Sequence, residues 1–531
     1  MYNEELWNAW VKEEKENYEL TPAGKRKYKK KGYLHLDHRY WFPEHIEEIK
    51  EIIFNKLIVK NPHTKKNQYY SFSPFLKILT KTPRYRYQFE EGQYDLETKI
   101  RPICLTSHKD SLILGYYSYS ITKTYENYIK DKGFDDVVLA YRSDLGYCNI
   151  QFAKEVFDII KSRKECSAIA LDIKGYFDHI DHTLLLEKWQ RVMGGRLDED
   201  QFRLYKMLTE YSYINSKSIL KKYKGPKERN ERLPLALFDI IPGDTINEKF
   251  KKLKQDELII TNNEPNDKTK RKCGIPQGSP ISALLSNILL IDFDADLKKK
   301  GELECFVYRR YCDDILIICD TDKASNLMDW ILKKISKEYF LTIQQDKVDM
   351  IDFHKNAKGK TRGFRRPRRT KHILGDKPKV IITDKPTVTN EMNEEKLYKP
   401  LQYLGFEYNG KEVLLRSSSV SRFFWKLNYR LQRTVVMSYS PNTRSNQIFM
   451  SQIYERYTHI GKRNFLTYAF KAAKNLYEEG GIKKQGLNSP AIKKQLRNHF
   501  ALLRHELEMK NIKWYSHKQQ GKKEATLKYF K

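Results

Sequence analysis

Cysteine is scarce and poorly spaced for cross-linking. The seven in this chain of 531 residues, at 104, 148, 166, 273, 305, 312 and 319, include no C-x-x-C pair and mostly lie in apolar runs. Neither a disulfide framework nor a zinc knuckle is expected, and a reducing compartment fits. No apolar run approaches the ~18 residues that a membrane span needs. The start, Met1-Tyr2-Asn3-Glu4-Glu5-Leu6-Trp7, lacks the basic-then-apolar pattern of a signal peptide. The expectation is a soluble, cytoplasmic protein with no membrane partner. Acid is in short supply too: 68 aspartates and glutamates face 99 lysines and arginines, a formal charge of +31. Phosphates balance such a surplus most simply, so a polyanionic partner is expected.

Aromatic side chains are plentiful, with 36 tyrosines, 25 phenylalanines and 7 tryptophans, and among so many cations they can stack on bases as well as build core. The length implies about two to four domains or subdomains. Up to residue 85 an acidic amphipathic start leads into the basic tract Gly24-Lys25-Arg26-Lys27-Tyr28-Lys29-Lys30-Lys31-Gly32. The tract reads as a nucleic-acid-facing arm or as a solvated charged loop. The spacing predicts a helix from about 150 to 161, with Phe152, Val156 and Ile159 or Ile160 on one face. Residues 222–270 and 350–395 are charged and aperiodic, the second holding Arg362, Arg365, Arg366, Arg368, Arg369 and Lys371, and read as surface insertions. Beyond about residue 418 helical periodicity dominates, with Phe424, Leu427, Leu431 and Val435 on one stripe and Arg422, Lys426, Arg430 and Arg433 on another. A last helix is predicted from Ser489-Pro490, carrying Leu496, Phe500, Leu503 and Leu507. There is no internal repeat.

Chemistry concentrates where two apolar runs meet acid. Residues 308–320, Tyr-Arg-Arg-Tyr-Cys-Asp-Asp-Ile-Leu-Ile-Ile-Cys-Asp, predict a tight β-hairpin with Asp313 and Asp314 at its tip. Adjacent carboxylates repel, and divalent cations are their usual remedy. Asp172 ends the run Ala168-Ile169-Ala170-Leu171 and can be presented beside that hairpin. Three converging carboxylates suit a pair of magnesium ions, one activating an attacking 3′-hydroxyl and the other stabilising a triphosphate and its leaving pyrophosphate. The loop Gly274-Ile275-Pro276-Gln277-Gly278-Ser279-Pro280 runs into a helix-like segment from Ile281 to Phe293. His179 and His182, with Asp178 and Asp181, imitate a metal site but read as a capped helix start.

In six blocks, in family order, the chain resembles a bacterial reverse transcriptase. They are Lys99-Ile100-Arg101-Pro102-Ile103, Asp172-Ile173-Lys174-Gly175-Tyr176-Phe177-Asp178, Gly274 to Pro280, Tyr311-Cys312-Asp313-Asp314, Leu341-Thr342-Ile343-Gln344-Gln345-Asp346-Lys347, and Leu401-Gln402-Tyr403-Leu404-Gly405-Phe406. They are similar to blocks of group II intron and retron enzymes. The insertions and Ala140-Tyr141-Arg142 look more like the unknown-group and abortive-infection reverse transcriptases implicated in phage defence.

The resemblance implies an α+β right-hand fold. After an extension over 1–85 would come fingers over 86–165, a palm of antiparallel sheet plus helices over 166–415 with the two insertions, and a helical, RNA-binding thumb over 416–531. It implies Asp172, Asp313 and Asp314 as catalytic groups and, with Ile173, as the holders of two magnesium ions. Lys347 would protonate the departing pyrophosphate, or is a surface lysine. Lys99, Arg101, Gln277 and Gly278 would bind the incoming nucleotide, Phe177 would bar a ribose 2′-hydroxyl, and Leu404, Gly405 and Phe406 would grip the primer. Cys312 stands where alanine is common; being nearly as small, it is expected to fit. The implied function is RNA-directed DNA polymerase by two-metal nucleotidyl transfer, in bacterial anti-phage defence, using dNTPs and a structured non-coding RNA to make DNA. A homo-oligomer or a partner protein is left open. The alternatives are template-independent or protein-primed DNA synthesis and a catalytically silent RNA-binding scaffold. Retention of all three aspartates and Gln277 argues against the scaffold, and Phe177 against an RNA-copying RNA polymerase. The C-terminal part lacks the Cys and His cluster of an HNH nuclease.

Overall fold

A computed structural model describes residues 3–60, 67–88, 93–224, 234–262, 271–344, 347–366, 368–371, 379–382, 397–440, 447–517 and 526–528. The architecture follows from one apolar strand, Cys166–Asp172. Successive side chains of a strand leave opposite faces. Ile169 and Leu171 therefore enter one core while Cys166 and Ala168 enter another. The neighbouring strands divide in the same way: Ile315, Ile317, Cys319 and Met350 join the first core, and Leu316, Ile318, Ile351 and Phe353 the second.

These strands make a five-stranded antiparallel sheet in the order Val307–Tyr311, Asp314–Cys319, Cys166–Asp172, Asp349–Lys355, Thr361–Arg365. Covered on both faces, its central strands read as nearly unbroken apolar runs. Residues of helices His108–Asp131, Ser282–Leu289 and Ile291–Glu304 fill the first core. Helix Asn149–Arg163 and the small sheet Leu401–Tyr403, Phe406–Tyr408, Val413–Leu415 fill the second. The α+β class expected from the sequence is the observed one.

Several sequence expectations need correction. Asp349–Lys355, inside the segment taken for a surface insertion, is an inner strand paired with Cys166–Asp172. Its charge misled because it is neutralised internally: Asp352, 1% exposed, accepts from Arg366 at 3.0 Å and from the Ser167 hydroxyl at 2.5 Å. Residues 367, 372–378 and 383–396 of that segment lie outside the described residues. The segment 222–270 likewise contributes core, since Leu237, Ile241 and Leu253 pack with Leu36, Leu76, Ile214 and Ile219 beside the hairpin Phe75–Gln88, Gln93–Leu105. Residues 225–233 and 263–270 are not among those described.

The basic tract, read as an arm or as a solvated charged loop, folds back on its own extension. Arg26–Tyr28 pairs with Tyr18–Leu20, and Lys27 meets Glu19 at 3.0 Å, Lys30 meets Glu14 at 2.7 Å and Arg26 meets Glu44 at 2.5 Å. The preceding helix, Glu4–Lys15, buries Trp7 and Trp10 in the first core.

At the C-terminal end, helix Ser417–Ser438 buries Phe423 rather than Phe424 at the head of its stripe, followed by Leu427, Leu431 and Val435. The last expected helix is two, Pro490–Leu496 and His499–His517, so Leu496 joins the second core while Leu503 and Leu507 pack against Ser417–Ser438. Among the described residues no helix is long and apolar enough to cross a membrane.

Candidate active site

Strand register assembles the carboxylates. Asp314 lies directly opposite Asp172 in the antiparallel pair, and the Ile173 N–H donates to the Asp313 carbonyl at 3.1 Å. The N–H and C=O of one strand residue leave the same edge, so the Ile173 carbonyl faces the Asp313 side. Tyr311 pairs with Asp314, which leaves Cys312 and Asp313 as the central residues of a two-residue turn. Cys312 has φ +58°, and Asp313 is not in the positive region, the pattern of a type II′ hairpin turn whose first central position favours glycine. The cysteine fits by volume, being 5% exposed. Its cost is in the backbone, about 1–3 kcal/mol for such a conformation.

The electrostatics call for cations. Loss of hydration, with repulsion from Asp172, raises the Asp313 carboxyl above its ordinary range. Asp314 goes up to about 7, through crowding by protein atoms and then repulsion by Asp313 and Asp172, although its side chain stays open to solvent. Lys347 opposes both shifts, and its ammonium sits 2.5 Å from Asp172 Oδ1. Gln345 and Asp346 of the same block lie outside the described residues. Among the described residues, no group of three or more His, Cys, Asp or Glu side chains is arranged to hold a metal ion by itself. Magnesium is commonly held by one or two carboxylates plus substrate phosphates, and the aspartates, all oxygen donors, fit that open arrangement.

The side of the Gly274–Pro280 loop is built from two backbone approaches. The turn Tyr176–His179 follows Gly175 at φ +56°, and the Phe177 carbonyl accepts from the Ile275 N–H at 2.9 Å, tying the half-buried Phe177 to the Gly274–Pro280 loop. The Gln277 carbonyl accepts from the Cys104 N–H at 2.8 Å. A Cβ on Gly278 would come within 2.9 Å of Ile103 Cγ2 and 3.0 Å of the Cys104 carbonyl, at φ +118°, so glycine is required there. Lys99 and Arg101 alternate with Ile103 along Gln93–Leu105, hence share the strand face that Ile103 turns toward this loop.

Leu404 (φ +45°) and Gly405 (φ +92°) form the turn between Leu401–Tyr403 and Phe406–Tyr408. Phe406 is fully buried and stacks with Tyr468, so of the three expected grip residues it alone lies wholly in the core. The Arg416 N–H donates to the Gly405 carbonyl at 3.0 Å, and the Arg416 charge stabilises ionised Asp314. The histidines hold turns: His179 Nδ1 bonds the Gly175 carbonyl and His182 Nε2 the Gly274 carbonyl, each at 2.8 Å.

Sequence reasoning missed what lies beneath the hairpin. Arg310, fully buried, donates to Asp294 through Nε at 2.8 Å and Nη2 at 2.5 Å, and through Nη1 to Asn287 Oδ1 at 3.0 Å and the Cys312 carbonyl at 3.1 Å. Tyr308 also donates to Asp294, at 2.6 Å. The Asn287 amide donates to the Ala140 carbonyl at 2.8 Å, and the next residue, Tyr141, hydrogen-bonds the Cys312 side chain. The helices after the Gln277 loop thus fix the strained turn from below. The adjacent arginines at 309 and 310 gave no hint that one is internal.

Paired carboxylates on neighbouring antiparallel strands, with a glycine loop on one side and a helical region on the other, are the arrangement expected of a nucleotide-polymerising site. Residues 236–408 match the family described as reverse transcriptase (RNA-dependent DNA polymerase). Over those residues the chain is thus similar to a reverse transcriptase domain. The match includes Gln277, Asp313, Asp314 and Lys347 but begins after Asp172. No curated protein matches the chain by sequence. Among solved structures it is similar to telomerase from Candida albicans in complex with a TWJ fragment of telomeric RNA, at 13% identity and TM-score 0.34, covering 89% of this chain and 61% of that one. It is also similar to apo telomerase from Candida tropicalis truncated from the C-terminal domain, at 10% identity and TM-score 0.35, covering 70% and 68%. The chain thus spans about 61% of the length of the Candida albicans protein.

Proposed function

We propose that this protein copies RNA into DNA by metal-assisted nucleotidyl transfer at Asp172, Asp313 and Asp314. The observation that carries the reading is the register of Asp172 against Asp314, with Asp313 at the adjoining turn. Magnesium ions, when bound, would relieve the repulsion among these groups, activate a 3′-hydroxyl and stabilise leaving pyrophosphate. Asp172, Asp313 and Asp314 would hold them, with the Ile173 carbonyl on the same edge.

Lys347 balances Asp172 in the free protein and passes a proton to the departing pyrophosphate once phosphate oxygens compete for it. Lys99 and Arg101 grip the triphosphate by charge-assisted hydrogen bonds. The Phe177 ring takes the space of a ribose 2′-hydroxyl, which selects deoxynucleotides. Gln277 and Gly278 receive the nucleotide and template, and the Leu404–Gly405 turn supports the primer end. In hand terms, fingers over 86–165 and a thumb over 416–531 flank a palm over 166–415, with the extension over 1–85 contributing to recognition of a structured RNA. A role in bacterial anti-phage defence is supported by the family resemblance of Ala140-Tyr141-Arg142.

Incorporation of labelled dNTPs by the purified protein with its co-purified RNA and magnesium tests the reading. DNase-sensitive product is expected from the unmodified protein and none from the Asp313→Ala, Asp314→Ala variant. Equal product from both would sink it.

A further inference from the structure

Behind the nucleotide loop, and away from the carboxylates, the extension closes a cavity of about 160 Å³ against helix His108–Asp131 and Pro280. That is room for about five waters at ~30 Å³ each, and well below the ~300 Å³ at which pockets for larger ligands begin. One flat ring system fits. Aromatic side chains surround it: Tyr18, Tyr28 and Tyr33 line the space, one face of Tyr33 is held flat on His108 at 4.5 Å and 15° and one face of Tyr28 lies under the Arg39 guanidinium at 3.6 Å, so a guest meets the remaining aromatic surface.

Two polar features point to the rest of the ligand. The acid on the wall, Glu14, is already engaged by Lys30 at 2.7 Å, Asn17 at 3.2 Å and Tyr18 at 3.3 Å. Lys31, at the same cavity, has no ion pair among the described residues, so the mouth keeps positive charge for an anion. His108, with a side chain 10% exposed, holds Asp37 through Nδ1 at 3.0 Å, while its Nε2 is buried without a hydrogen-bond partner. Asp37 fixes the tautomer with the proton on Nδ1, which leaves Nε2 as an acceptor for a ligand N–H or O–H.

We propose that this cavity takes a single unpaired nucleotide. Its base stacks among the tyrosines, an amino or hydroxyl group donates to His108 Nε2, and its phosphate faces Lys31. Base on aromatic ring with a nearby cation is the general chemistry of single-strand capture. The occupant is an unpaired position of a bound RNA, which rests on the reading that this protein works on RNA. Pro280 closes the segment that bears Gln277 and Gly278, and its carbonyl accepts from the Ser118 hydroxyl at 3.2 Å. The guest therefore sits directly behind the loop.

The test uses the full chain, a mixed-sequence RNA 20-mer carrying 4-thiouridine, and the four nucleoside monophosphates. Cross-linked peptides containing Tyr28, Tyr33 or His108 are expected. Their yield should fall at least tenfold in Lys31→Glu, an exposed change that leaves the core intact, and in Tyr33→Ala. Monophosphates that bind with the same sensitivity, when RNA gives no cross-link there, would support the site with free nucleotide as its source. RNA that binds without cross-linking these peptides, together with silent monophosphates, would overturn the pocket alone. A protein that binds neither RNA nor monophosphate would overturn both the pocket and the RNA reading beneath it.

Discussion

Asp314 is held closer to neutrality by the fold than by water. Its folded value of about 7 lies above that of an unfolded carboxylate, so the folded state binds the proton more tightly. The stabilising contribution is complete below about pH 4 and is lost as pH rises through about 7. Without metal, Asp314→Asn is therefore expected to melt above the unmodified protein at pH 8, with a gap that narrows toward pH 5. Magnesium should narrow it at pH 8, and a melting series with and without chelator checks both. At Phe177 the expectation concerns selectivity: alanine there should reduce the preference for dNTPs over rNTPs at least tenfold in kcat/KM, and unchanged discrimination would remove the gate argument. The aspartates were legible because a carboxylate ending an apolar run has few structural uses. Arg310 was not, because only the arrival of Asp294, from a helix adjacent in space, turns a surface-looking cation into an internal one.

Among elements, the hairpin and the helix pair beneath it act as one unit. Removing one member of a buried ion pair strands the other, at a cost of about 3–5 kcal/mol, whereas replacing both with apolar groups is often neutral. Asp294→Ala should thus lower Tm sharply, and Arg310→Met with Asp294→Leu should regain most of it. The double variant still lacks the donor to the Cys312 carbonyl, so dNTP incorporation is expected to stay at least tenfold down; full recovery of both would reduce the network to a stability device. Elements with clean periodicity were readable: the helix expected from about 150 to 161 is Asn149–Arg163, and Pro490 does open a helix. The Ser489 hydroxyl instead donates to the Val413 carbonyl, at 2.5 Å, a tie that no local pattern announces. Asp349–Lys355 was hidden because its buried aspartate is paired with Arg366, a residue beyond its own strand.

For the whole molecule the +31 charge sets the expectation. Phosphate contacts release counterions, so RNA affinity should fall steeply between about 50 and 200 mM salt, by ~10³-fold if six or more phosphates are held. A filter-binding series that stays flat would contradict a phosphate-gripping surface. The count of free cations is smaller than composition implies, since Arg26, Lys27 and Lys30 are spent on neighbouring glutamates. The overall class was visible from the order of the six blocks, whereas the extension's fold was not, because its basic tract is neutralised by acids that sequence order leaves unconnected. The pairing of Asp172 with Asp314 also sets a timetable for the newborn chain. At 5–20 residues per second a ribosome takes roughly 7–28 s to pass from one to the other. Throughout that interval the strand Cys166–Asp172 has no edge partner on the Asp314 side, and the carboxylate cluster does not yet exist.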